Sequence, residues 1–182
     1  MKWGFLAAAL AGLIPSALAE PIAVKDAFHR EVRFEAPPRR IVPIFASNTE
    51  IVTSLGLADR IVGIEAFTRF PTDILDRPLV GGRLGFSVDA IVALRPDLLV
   101  VTPSRQAANT LIDPMQRLGI PIVVFLQRDV AEILANIRLM ARIAGIDARG
   151  EKVASGLQAR LDRVKARIAE RTPPSEIGRA HV

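Results

Sequence analysis

The apolar residues of this chain change their rhythm twice. Between residues 22 and 35, Val24, Val32 and Phe34 alternate with polar neighbours around a break at Asp26 to Arg30, which predicts a hairpin closed by Pro37 and Pro38. From Ile41 the pattern becomes short, unbroken apolar runs: IVPIF at 41–45, IVGI at 61–64, LLVV at 98–101 and IPIVVF at 120–125. Runs of this length, rich in Val and Ile, are strands buried on both faces. Beyond Phe125 the strands stop, and Val130, Ile133, Leu134, Ile137, Met140, Ala141 and Ala144 fall at spacings of three and four. That is one apolar stripe along a helix.

Between the strands lie helical segments with start and stop signals. Ser47, Asn48 and Thr49 supply capping side chains for a short helix over Glu50 to Leu55, which Gly56 ends. Gln106 to Leu118 predicts another helix, ended by Gly119. The stretch Val80 to Val101 reads as strand end, glycine loop, short helix, Arg-Pro-Asp break and buried strand. Strands alternating with helices predict a three-layer α/β lobe over residues 20–127, with a mostly parallel sheet of about four strands behind the N-terminal hairpin. The loops 46–49, 65–71, 81–86 and 102–106 then gather at the C-terminal edge of the sheet, where open α/β folds bind ligands.

The stripe after residue 128 continues through Val153, Leu157, Leu161, Val164 and Ile168, with a break or bend at Gly145. Residues 128–172 are therefore expected as one long helical element. Such an element needs a surface to pack against, and the lobe as read leaves none over.

Composition adds three constraints. Lys2, the apolar run Trp3 to Leu13 and the small-residue site Ala17-Leu18-Ala19 make residues 1–19 a secretory signal peptide, cleaved after Ala19, so the mature protein is expected free in the periplasm. The run is shorter than the roughly 20 apolar residues that a membrane span needs. With no Cys in the sequence, disulfides and thiolate metal sites are excluded, as is a lipid on a cysteine after the signal. The net charge of +5 comes from scattered basic residues, the densest set being Arg160, Arg163, Lys165, Arg167 and Arg171 on a helix. A solvated helical face explains them without nucleic acid.

No catalytic or metal-binding set emerges. His29 sits in the hairpin turn without a second ligand at metal spacing. Gly82-Arg83-Leu84-Gly85 follows a strand as a dinucleotide fingerprint would, but Val80 stands where the first glycine belongs and no acid ends a strand about 20 residues on. The chain is thus expected not to be an enzyme and to need no cofactor. What the glycine loop offers is access: Gly81, Gly82 and Gly85 clear space around Arg83, whose planar guanidinium suits carboxylate, hydroxamate or catecholate oxygens. The alternative for Arg83 is an exposed structural arginine.

ASNTEIVTSLGLADRIVGI at 46–64, GGRLGFSVDAIVALRPDLLVV at 81–101 and LGIPIVVF at 118–125 together resemble the N-terminal lobe of periplasmic proteins that bind ferric siderophores, haem or cobalamin for ABC importers. The resemblance covers residues 22 to about 171. It implies two α/β lobes joined by a long helix, here 128–172, with the second lobe absent from this sequence. It also implies a monomer that delivers an iron chelate or other large metal-organic ligand to a permease in the inner membrane. Arg83 matches a position where hydroxamate binders carry Arg, which favours a ferric siderophore, with cobalamin or haem as the alternative. Phe67 and Phe70 match loop aromatics that line the cleft, with core packing as the rival, and Ser47, Asn48, Gly82 and Ser104 complete the expected ligand edge. Asp89 matches an acid that docks on permease arginines; the rival is plain helix chemistry, with Ser87 as N-cap and Asp89 in the first turn. A non-transport module that uses the long amphipathic helix remains a third class. Residues 173–182 read as a linker and a non-native tail, because EIGRAHV at 176–182 resembles a translated sequencing adapter.

Overall fold

The structure, a computed structural model, describes residues 21–102 and 111–169. Strands β1 (Ile22–Lys25) and β2 (Glu31–Phe34) form the antiparallel hairpin that the alternation predicts. Its turn is held by Asp26, a buried carboxylate that accepts from the Phe28 and Arg30 N–H groups, from the Arg30 guanidinium at 2.6 Å and from the Val124 N–H. The hairpin is thereby fastened to the main sheet.

That sheet is parallel. β3 (Ile41–Pro43) pairs with β7 (Leu98–Val101), and β7 pairs with β8 (Ile122–Val124), placing β7 at the centre. On the far side of β3 a single parallel bridge, Ile41 to Ile61, leads to a second ladder. There β4 (Ile64–Glu65) runs parallel to β5 (Leu79–Gly82), and β6 (Gly85–Phe86) returns antiparallel. The glycine segment 81–86, expected as an open loop, is therefore a β-hairpin with Arg83 and Leu84 at its two-residue turn.

Side chains of the central strands alternate between two cores. Ile41, Leu98, Val100, Val123 and Phe125 face one, together with helix α1 (Ala46–Ser54) and helix α4 (Val130–Ile143). Val42, Ile44, Leu99, Val101, Ile122 and Val124 face the other, with Ile91 of helix α2 (Val88–Ala93) and Met115 of helix α3 (Asp113–Arg117). Nearly all of these are fully buried, each side chain contributing about 1.5–3 kcal/mol. This is the three-layer lobe expected from the apolar runs.

Within the described residues, the element expected over 128–172 is two helices. α4 ends where Gly145 takes a left-handed φ of 71°, and α5 (Asp147–Ala169) turns back along α4. Nor does α4 lack a partner, for Leu134, Ile137, Met140 and Ala141 pack into the first core. The start of α5 packs closely on α4: a Cβ at Gly150 would lie 2.2 Å from the Ala141 Cβ, and Ala154 is fully buried. The two helices are also joined by an Arg138–Glu151 ion pair at 2.6 Å. From Asp162 to Ala169 every residue of α5 is exposed.

Candidate functional site

Three described segments lie at the C-terminal edge of the strands. The first follows β3, where Phe45 takes a φ of 76° and turns the chain into α1. The helix starts at Ala46, so Ser47, Asn48 and Thr49 lie inside it rather than capping it. Its first N–H is answered from elsewhere: Ala46 donates to Glu65 Oε1 at 3.0 Å. Glu65 ends β4 and is only 5% exposed, and burial pushes its carboxyl above the ordinary range while the Ala46 bond pulls it down.

Asn48 points its amide into the protein. It is fully buried, its Nδ2 donates to the Ile44 carbonyl and to Thr102 Oγ1, and its Oδ1 accepts from Gln127 Nε2 at 2.7 Å. One amide thus ties together the ends of β3, β7 and β8. Asn48, expected at the ligand edge, is thus held in interior hydrogen bonds within the described lobe. Ser47, one residue earlier, is exposed and lines a small groove with Gln127 and Leu157.

The second segment is residues 66–70. Ala66 N–H donates to the Gly81 carbonyl at 2.9 Å, and Arg69 Nη1 donates to the Ala66 carbonyl at 2.7 Å, which fold the segment against β5. Phe67 and Phe70 are 51% and 65% exposed, which removes core packing as their explanation. Phe70 also walls a groove of about 860 Å³, which runs along α1 past Glu50, Asp73 and Arg77. Arg83 is not among the residues lining that groove.

The third segment is the β5–β6 hairpin. Gly82 lies close to the 66–70 segment, since a Cβ there would come within 3.2 Å of the Ala66 Cβ. At Gly81 a Cβ would collide with the Phe86 ring at 2.4 Å, so the hairpin closes only with glycine there. Phe86 packs edge-on against Phe45, with centroids 5.7 Å apart, and so props the hairpin on the start of α1. Arg83 and Leu84 stand exposed at the tip, and Arg83 has no hydrogen-bond or ion-pair partner among the described residues.

Ser104 lies outside the described residues. Asp89 is exposed in the first turn of α2, whose N-cap Ser87 accepts the Ala90 N–H at 3.1 Å. The structure thus brings together Ser47, Gln127 and the Asn48 knot, and separately Gly82 with the 66–70 segment. Sequence reading missed Glu65, Thr102, Gln127 and Phe86. Only Glu65 left a signal, a charge directly after a buried strand.

A family model described as periplasmic binding protein matches residues 41–177. The chain belongs to the periplasmic binding protein family. Among its relatives, the vitamin B12-binding protein of Vibrio campbellii is 28% identical over 129 residues, 71% of this chain and 46% of that protein. The ABC transporter substrate-binding lipoprotein YvrC of Bacillus subtilis is 24% identical over 143 residues, 78% of this chain and 45% of that protein. Among solved structures, the vitamin B12-binding protein BtuF of Vibrio cholerae superposes with a TM-score of 0.68 at 25% identity, covering 75% of this chain and 53% of that one. The haem-binding protein HmuT gives a TM-score of 0.69 at 27% identity, covering 88% and 52%. This periplasmic binding protein spans about half the length of the relatives it matches.

Proposed function

We propose that the described lobe is half of the cargo site of a binding protein that serves an ABC importer, and that the cargo is a metal chelate with anionic oxygens and a broad apolar face. One observation carries this reading: Arg83, Leu84, Phe67 and Phe70 are all exposed on neighbouring segments at the strand edge. Large apolar side chains left in water at an edge mark a binding surface. A free guanidinium among them selects for acidic oxygens. Arg83 favours a ferric siderophore or related iron chelate, while the phenylalanines and Leu84 suit the wider face of haem or cobalamin, the ligands named for HmuT and for the vitamin B12-binding relatives. Asp89 is the acid that docks on the permease, and the periplasm is the compartment of action.

The test is calorimetric titration of ferric siderophores, haem and cobalamin into the complete two-lobed protein. One chelate class should bind, and Arg83→Ala should weaken it by about 1.5–3 kcal/mol, roughly ten- to a hundredfold, the usual range for a hydrogen bond to a charged group. Binding of none of the three would overturn the proposal.

A further inference from the structure

Helix α1 opens at the binding edge without a cap of its own. Phe45, in the N-cap position, has no side-chain oxygen to offer. The acceptor comes from another strand, where Glu65 receives the Ala46 N–H across 19 residues of sequence. A buried carboxylate ordinarily needs a positive partner. No Lys or Arg is ion-paired to Glu65 among the described residues, and nearby Arg69 directs its Nη1 to the carbonyls of Ala66 and Thr68. The positive end of α1 is what remains to compensate the charge. That end would otherwise point its free N–H groups toward an incoming ligand.

We propose that Glu65 is a positioning residue of the binding edge: its carboxylate fills the positive end of α1 from within, keeps ligand anions off it and leaves Arg83 to receive them. The inference rests on reading this edge as the cargo face, and it deepens that reading by assigning the acidic groups of the cargo to the hairpin side. Geometry agrees, because the Phe45–Phe86 contact sets the hairpin beside the very helix end that Glu65 occupies. Protonation of Glu65 removes the charge that closes this end. Its neighbours at the site are the Ala46 backbone, the 66–68 turn and Arg69, with no second carboxylate hydrogen-bonded to it.

The experiment uses sulfate as the probe and the backbone amides of Ala46 and Ser47 as reporters, in NMR spectra of the full 182-residue chain. At neutral pH sulfate should leave both amides unmoved in the wild type, shift them saturably in Glu65→Ala, and shift them in Glu65→Gln as well. The Ala46 amide of the wild type should also follow a pH transition above the ordinary carboxylate range, absent in Glu65→Gln. Sulfate shifts in the wild type equal to those of the variants would overturn the proposal, as would no shift in any of the three. Should Glu65→Ala fail to fold, the isosteric Glu65→Gln decides. No cargo enters this measurement, so its failure leaves the importer reading standing, and a cargo titration that fails leaves this assignment standing.

Discussion

Two buried polar side chains, Asn48 and Glu65, hold the edge on which the exposed ones stand. Asn48 uses its amide on three strand ends, and Glu65 uses its carboxylate on one helix end. The second arrangement leaves a mark on stability. Folding raises the Glu65 pKa, chiefly by desolvation, so between the ordinary carboxylate value and the raised one the native state binds more protons than the unfolded chain. Stability contributed by this group therefore falls as pH rises through that window, and stays low above it. Glu65→Gln removes the ionisation while keeping an acceptor for Ala46. Its melting temperature, followed by circular dichroism, should gain on the wild type as pH rises through the same window; a constant difference would contradict this. At this scale the sequence was legible where side chains work alone. Arg83, Phe67 and Phe70 are exposed at the edge. Asn48 was not legible, since its role depends on Thr102 and on Gln127, 79 residues away. A capping role and a buried knot look alike in a Ser-Asn-Thr string.

Among the elements, the parallel strands and both core faces follow directly from the apolar runs, because a strand buried on two sides admits few polar residues. The β5–β6 hairpin did not stand out, since its pairing involves only two residues on each side and three of those four are glycine. The paired helices α4 and α5 show how one residue type does opposite work. Gly150 sits where the helices touch, whereas a Cβ at Gly156 meets nothing within 4 Å. Gly150→Ala should therefore cost about 1–3 kcal/mol through overpacking against Ala141. Gly156→Ala, in the same helix, should gain about 0.5–1 kcal/mol from helix propensity. Urea unfolding of the two variants measures both, and equal effects would show that the helices separate more readily than their packing implies.

For the whole molecule, the chain covers about half of its relatives, and the last turns of α5 carry Val164 and Ile168 into solvent at 52% and 60% exposure. The helical pattern and the break at Gly145 were legible, but the break is a reversal that lays the second helix back along the first. Gly145 marked the place, while the left-handed turn that reverses the chain depends on packing that a period of three and four does not encode. The acid on α2 belongs to this scale because the partner proposed for it is another protein. In the complete protein, Asp89→Arg should abolish uptake of the cargo while its affinity, measured by calorimetry, stays within about twofold, since exposed substitutions away from packed features usually change energies by less than about 0.5 kcal/mol. Loss of both uptake and affinity, or of neither, would count against docking through this residue.

The knot at Asn48 also bears on which positions of the edge can change over time. Because the three strand ends are fastened to one another by interior hydrogen bonds, the exposed tips at 67, 70, 83 and 84 carry little of the scaffold's stability. Those four positions are open to randomisation in a selection library, and to drift in evolution, at small cost in folding. The periplasmic binding protein fold can in this way keep one chassis and exchange its fingertips.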